Sequence, residues 1–437
     1  MVANAIPAQA HSGEKSASVY SVVNRRILPF LAVCYLFAYL DRINIGFAKL
    51  QMQNDLALSD AAYGLGAGIF FFGYMLFEVP SNLLLVKIGA RRTLSRILML
   101  WGIVSASMLF VTDVWTFYAL RFLLGVFEAG FAPGMIYYLT QWYPGTRMAR
   151  AMAIVLGAAP LGGVIGGPVS AWIMGHFAGA GGLAGWQWMF LAEGIPSIVL
   201  GVAAYCYLVD QPADARWLTD EQKAVIASDI ARASPRQDSS FAKALTDPKL
   251  YVLAGAYFCL ISGLYAVGFW LPSILKAAGL NDLLKIGLYS AVPNLAAIAA
   301  MYALSRSSDR RGERRWHSAI TAILGAGLLA AAAYATSFPA ALLAITLATA
   351  AIFASYTVFW AIPQESLKGT AAAGGIAFIN SIGLFGGFFS PTLIGWTKNT
   401  TGSLQSGLLV IAALLVAGAV LLAVLLAAQR TPRPPVR

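Results

Sequence analysis

"DQPADARWLTDEQKAVIASDIARASPRQDSS", residues 210–240, is the longest water-loving stretch of this chain, and it decides how the rest is read. It is charged and contains Pro212 and Pro235, and the polar character persists to about residue 247. On both sides lie apolar runs of the length that crosses a bilayer as a helix, about 20 residues. Before it the candidate spans are 27–48, 62–86, 94–112, 115–139, 148–176 and 187–209. After it come 249–277, 286–304, 317–336, 339–361, 371–396 and 405–428. The polar stretch therefore splits the chain into six spans plus six. Inside it, Thr219 stands as an N-cap before a helically spaced segment, so a short surface helix is expected within a tether between two halves.

Composition agrees. Of 437 residues, 59% are hydrophobic and 11% charged, and the mean hydropathy is +0.70. Soluble domains carry about 25% charged residues. The expected fold is an all-α membrane protein: twelve transmembrane helices in two pseudo-symmetric six-helix bundles, residues 25–209 and 248–428. The linker is 210–247, and polar tails occupy 1–24 and 429–437. Residues 1–24 contain no apolar core and read as a tail, not a cleavable signal peptide.

Lysine and arginine set the orientation. Of 30 such residues, Arg42 and Arg121 lie inside spans, and Lys49, Lys276, Lys285 and Lys398 fall on one side. All the others fall opposite, in the tails and even-numbered loops. That basic face is read as cytoplasmic, with both termini inside and the chain in the inner (cytoplasmic) membrane. The net charge of +11 is then a membrane protein's inner surface and calls for no nucleic acid. Cys34, Cys206 and Cys259 sit apart in apolar spans and are expected to be small buried thiols. No His/Cys/carboxylate grouping suggests a metal, no Ser-His-Asp set suggests hydrolysis, and no enzyme or cofactor is indicated.

Charges inside the spans are the informative exception, because they are expensive there and mark pathways. "YLDRINIGFA" (39–48) sets Asp41 beside Arg42, and "RFLLGVFEAG" (121–130) holds Arg121 and Glu128. Neighbours on a helix point about 100° apart, so Asp41 and Arg42 need not pair, while Tyr39 and Arg42 share a face. Arg121 and Glu128 lie two turns apart on one face, about 10 Å along the axis. Two acids and two bases make a neutral set. One use of it is a buried ion network that fixes packing. The other is a proton-coupled anion site. Asp41 and Glu128 would exchange protons, because burial and a nearby arginine act oppositely on a carboxyl's proton affinity. Arg42 and Arg121 would hold a carboxylate through paired hydrogen bonds. Tyr74, Tyr265, Trp270, Trp360 and Asn380 are further candidates for a cavity lining. Glu193 is expected to pair with a loop arginine.

The loops carry an echo. "SRSSDRRGERRWH" (305–317) and "NLLLVKIGARRTL" (82–94) both place a glycine among arginines at the end of a helix pair. The second-half copy resembles the G-x-x-x-D-R-x-G-R-R loop motif of the major facilitator superfamily, at Asp309, Arg310 and Gly312. The first-half copy, with Gly89, Arg91 and Arg92, has Asn82 for the first glycine and Val86 for the aspartate, so Glu78 becomes a candidate substitute. Asp309 is expected to cap or pair with a neighbouring helix end. "YLDRINIGFA", "FEVPSNLLLVKIGARR", "RFLLGVFEAGFAPGMIYYLTQWYP", "WQWMFLAEGIPSIVLG", "FWLPSIL" and "GTAAAGGIAFINSIG" resemble that superfamily's anion:cation symporter branch. The resemblance implies a monomeric carrier of small organic anions. It associates the positions of Asp41, Arg42, Arg121 and Glu128 with proton coupling and anion binding. Leu384 stands where relatives often have asparagine.

The function expected is proton-coupled import, by alternating access, of a tartrate-like hydroxy acid or a sugar acid. The partners are that anion, protons and the lipid bilayer. An exchanger or exporter of the same fold, or a symporter of an aromatic carboxylate, would use the same arginines. A cationic-drug exporter is disfavoured by them, and a receptor by the lack of a sizeable soluble domain. Gly- and Pro-rich runs at 157–168, where Pro160 and Pro168 should bend the helix, and at 374–387 suggest faces that slide.

Overall fold

The computed structural model of the protein describes residues 6–233, 245–366 and 370–429, and all regular structure among them is helical. Twelve helical segments are long and apolar enough to cross a membrane. The chain is an all-α membrane protein, as the sequence implies. The first half comprises α1 (Ile6–Ile43), α2 (Ile45–Asp55), α3 (Asp60–Ile88), α4 (Ala90–Ser107), α5 (Val114–Glu128), α6 (Phe131–Thr140), α7 (Gly145–Leu156), α8 (Ala158–His176) and α9 (Gly185–Tyr207). After α10 (Asp220–Ala233) in the linker come α11 (Pro248–Ala277), α12 (Leu283–Arg311), α13 (Arg315–Ala333), α14 (Phe338–Phe359), α15 (Ala361–Ser366), α16 (Thr370–Thr401) and α17 (Leu404–Gln429).

Four spans read as single helices are broken. The first breaks at Asn44, between α1 and α2, and the fourth at Ala129–Gly130, where Gly130 is left-handed (φ 86°). The fifth breaks at Gly157 and the tenth at Trp360. The expected bend at Pro160 is thereby replaced: the break precedes it, and Pro160 lies in the first turn of α8, where a missing N–H removes no helical bond. The first helix also starts earlier than expected. It begins at Ile6, inside the stretch read as a polar tail.

The first-half helices pack on one another, chiefly α4 on α9, α3 on α5 and α1 on α8. The second-half helices do likewise, through α13–α14, α12–α14, α11–α16 and α13–α17. The halves meet along α3–α16, α8–α12 and α2–α11. Glycines permit the close approaches. A Cβ on Gly64 would lie 3.0 Å from the Gly395 Cα, and one on Gly287 would lie 2.6 Å from the Gly167 carbonyl oxygen. The linker helix forms where expected. Thr219 Oγ1 accepts from the Gln222 N–H, and Gln222 Oε1 accepts from the Thr219 N–H, a reciprocal cap. It is more than a tether: Ile226 is fully buried, α10 rests on α1 and α7, and Trp217 stacks on Trp142 at 5.5 Å.

Along α3 the buried residues run from Tyr63 to Tyr74, and beyond them only Leu85 is buried. On α3 the packing is thus dense toward the end carrying the odd-numbered loops and open toward the end carrying the termini. At the α3–α5 crossing, a Cβ on Gly125 would strike the Phe70 carbonyl and come 2.9 Å from the Tyr74 N. Gly125→Leu should therefore lower stability by about 1–3 kcal/mol. A thermal melt of the purified protein in detergent checks this, and an unchanged midpoint would mean the crossing is not tight.

Candidate functional site

Arg42 occupies the last turn of α1, where a cation complements the helix's negative end. Its guanidinium points to the boundary between the halves. Nη2 pairs with Glu128 Oε1, and Nη1 donates to the Tyr265 hydroxyl of α11 at 2.9 Å. The rings of Phe70 and Tyr74 on α3 lie 5.4 and 5.7 Å from its centre, within cation–π range. Glu128 is the last residue of α5, and its second carboxylate oxygen is buried without a hydrogen-bond partner. The breaks after α1 and α5 thus follow directly on the charged pair. Interrupted helices are how many transporters build a site at mid-membrane.

Arg121 lies one layer deeper. It is fully buried, donates to the carbonyls of Gly66 and Ala67 at 3.2 and 3.3 Å, and sits 5.2 Å from the Phe70 ring. Its Nη1 has no hydrogen-bond partner. Phe70 therefore stands between two arginines.

Asp41 points elsewhere. It accepts from Trp101 Nε1 at 2.8 Å and Asn44 Nδ2 at 3.2 Å, and also from the Ser105 hydroxyl. The same Asn44 amide nitrogen donates to Glu193 Oε2 at 2.9 Å, and Ser170 donates to Glu193 Oε1 at 2.7 Å. This second polar knot ties α1, α4, α8 and α9 within the first half. Glu193 thus pairs with no loop arginine. A glutamate inside the apolar run "LAEGIP" was its only sequence signal, and nothing in the spacing named Asn44 as its partner.

The other candidates scatter around the pair. Tyr39 is nearly buried, and its ring packs against Gly162 of α8. Trp360 meets Tyr257 edge-on at 4.7 Å. Asn380 of α16 donates to Glu78 of α3 across the halves, at 3.4 Å. Trp270 leaves the central group: its ring lies 3.6 Å from the Lys49 ammonium, near the odd-loop end. Tyr257, Phe70 and Phe71, none singled out by the sequence, join the aromatic wall, with Phe71 4.4 Å from Tyr265.

The first basic loop differs from expectation in its partner. Gly89 is left-handed (φ 91°), and a Cβ there would lie 2.8 Å from Asp210, whose carboxylate accepts from the Arg91 N–H at 2.7 Å. Asp210, not Glu78, supplies the acid at this corner, while Arg92 is exposed. Asp309, in the last turn of α12, pairs as expected with the next helix end, through Arg314, the N-cap residue of α13. Gly312 (φ 61°) closes α12, and Arg310 is exposed. Glu313 caps α13. Partial burial opposes its ionisation, but the N–H groups of Trp316 and His317 and the His317 ring hold the carboxyl below its usual range. Cys206 is exposed, unlike buried Cys34 and Cys259. Among the described residues no three His, Cys, Asp or Glu side chains gather as a metal site.

Known proteins share this architecture. The chain is 45% identical over 419 residues to a Pseudomonas putida protein named as metabolite transport protein NicT, covering 95% of this chain and 96% of that one. It is 47% identical over 406 residues to an Agrobacterium vitis protein named as a tartrate transporter, covering 92% and 93%. In fold alone it resembles a D-xylose–proton symporter (TM-score 0.71, 16% identity, 92% and 97% covered). It likewise resembles an inward-facing bacterial homologue of the lysosomal transporter Spinster (TM-score 0.71, 18% identity, 94% and 98% covered). The sequence pattern of the Major Facilitator Superfamily matches residues 31–391, and the chain belongs to that family of membrane transporters.

Proposed function

We propose that the protein imports a small organic anion, a tartrate-like hydroxy acid or a sugar acid, by proton-coupled alternating access. The observation that carries this reading is the Arg42–Glu128 pair at the meeting of the halves, joined by Tyr265 from the opposite one. Relatives named as tartrate transporters favour this substrate class over an aromatic acid. In this reading the protein is a monomer in the inner membrane with both termini cytoplasmic, because the basic loops lie on the terminal side.

Charge balance gives the coupling. While Glu128 is ionised it occupies the Arg42 fork and the site is neutral. A substrate carboxylate then brings an uncompensated negative charge into a medium that tolerates none. With a proton on Glu128, the pair loosens and the fork is free to take the substrate by two parallel hydrogen bonds. Anion and proton therefore enter together. Arg121, through its unpartnered Nη1, draws the anion's other end, and Tyr39, Tyr74, Tyr265, Trp360 and Asn380 present hydroxyls, rings and an amide to its carbon face. Asp41 is a second proton carrier. It sits one residue from Arg42, so its charge state changes how α1 seats on α4 and α9. The loops around Gly89, Arg91 and Arg92, and around Asp309, Arg310 and Gly312, fix the helix ends that turn as the halves rock.

Proteoliposomes with an imposed inward proton gradient and a panel of labelled organic acids test this. Wild type should concentrate at least one hydroxy or sugar acid. Glu128→Gln should lose gradient-driven accumulation while keeping part of its substrate exchange, and concentration by that variant would refute the coupling role. Accumulation that needs a preloaded lumen would identify an exchanger instead. Arg42→Lys should weaken substrate affinity at least 30-fold, because an ammonium cannot reproduce the fork. Binding measured calorimetrically at wild-type strength would remove Arg42 from the substrate.

A further inference from the structure

At the odd-loop end lies a feature that the transport reading leaves unused. Only four lysines and arginines were assigned to that face, and three of them, Lys49, Lys276 and Lys398, line one cavity of about 520 Å³. That volume is in the range that holds small organic ligands. Asn281, Ser273 and Gln405 add polar groups to its wall.

The charges are unequal. Lys49 and Lys398 both reach the same oxygen of Asp60, Oδ1, at 2.8 and 3.0 Å. Lys276, exposed, lines the cavity with them. Two ammonium groups thus share one carboxylate, and a third lines the cavity beside them. Lys49 is a poor surface charge: its side chain is 2% exposed, and it lies against the rings of Trp270 at 3.6 Å and Tyr63 at 4.5 Å. A cation held this far from water is attracted to any anion that can reach it.

The same contacts join the two halves. Lys49 and Asp60 belong to the first half, Lys398 and Trp270 to the second. Tyr63 beside them donates to the Phe269 carbonyl at 3.0 Å. The group that would bind an anion therefore also holds this end shut.

We propose that Lys49, Lys276 and Lys398 form a carboxylate-binding antechamber, in which an incoming organic anion displaces Asp60 from between Lys49 and Lys398 and so unties the two halves. Asp60 acts as a resident counter-anion that mimics the ligand. Lys276 draws the ligand in, and Lys398 changes partner as the end opens. The substrate class rests on the organic-anion reading above, but the antechamber and the central Arg42 site are separable.

The test measures the distance across the odd-loop end in the full-length protein in nanodiscs. Spin labels go on Thr112→Cys and Thr336→Cys, both exposed and one on each half, with the native cysteines replaced. With no anion beyond chloride, Asp60→Asn and Lys398→Gln should each shift the population toward longer distances. If neither does, the tie does not hold the closure and the proposal falls. Wild type is then titrated with acetate, succinate, L-tartrate, D-gluconate and 4-hydroxyphenylacetate at ionic strength matched by chloride. At least one should lengthen the distance. Lys276→Gln should raise the concentration needed about five-fold, and Lys285→Gln, which removes an exposed cation of the same face outside the cavity, should leave it unchanged. Three results overturn the proposal: no response to any carboxylate, an equal response to chloride, or a response that Lys276→Gln weakens no more than Lys285→Gln does. Failure of the transport reading looks different: no gradient-driven uptake, with the antechamber response intact.

Discussion

A charge inside the membrane must find its counter-charge inside the protein, and in this chain Arg42 finds Glu128. Much else follows from that pairing. Each partner ends a helix just before a break, at Asn44 in one case and at Ala129–Gly130 in the other. Arg42 gains from the negative end of α1 as well as from the carboxylate. The Tyr265 hydroxyl completes the group from α11 and makes one interaction sensitive to the relative position of both halves.

Asp41 and Arg42 show how adjacent residues serve two structures at once. Arg42 belongs to the boundary between halves. Asp41 belongs to the knot of Trp101, Ser105, Asn44, Ser170 and Glu193 inside the first half. Among these contacts one amide nitrogen donates to two carboxylates, an arrangement that depends on the proton content of the pair. A change at that knot is carried to Arg42 by a single helical turn. In the proposed cycle, protonation inside the first half and binding at the boundary would therefore be coupled by covalent geometry rather than by a long chain of contacts.

The architecture was legible because hydrophobic run length and a polar interruption are properties of composition, which local packing cannot disguise. The mid-span charges were equally visible, since a bilayer makes every Asp, Arg or Glu costly. Their partners were not. The 100° offset between Asp41 and Arg42 allows divergence without saying which helix receives which side chain. Glu193 carried its signal, a glutamate in an apolar run, yet its partner Asn44 looked like an ordinary polar residue next to the pair. Asp210 lay in the polar linker among other acids, and only the left-handed turn at Gly89 brings the α4 N-terminus to it. Trp270 read as cavity lining because an aromatic in a span has no depth label. Its cation, Lys49, is far away in sequence.

The distribution of ties also fits what alternating access demands. Two states must lie within a few kcal/mol of each other for a ligand to move the balance. At the odd-loop end the halves are held by glycine-to-backbone contacts at Gly64–Gly395 and Gly167–Gly287, and by Lys398 of the second half, which shares Asp60 with buried Lys49. Contacts through glycine bury little side chain and cost little to part. The pair that crosses between the halves, Lys398 with Asp60, is partly exposed and contributes about 0–1 kcal/mol. Toward the terminal end, Asn380 and Glu78 bridge the halves through a single long hydrogen bond. Tyr63 against Trp270 at 5.3 Å and Phe71 against Tyr265 at 4.4 Å add aromatic contact across the same boundary. In the proposed cycle, small residues and exchangeable charges let both ends open, and the choice falls to the anion or proton that occupies the lysines and arginines between them.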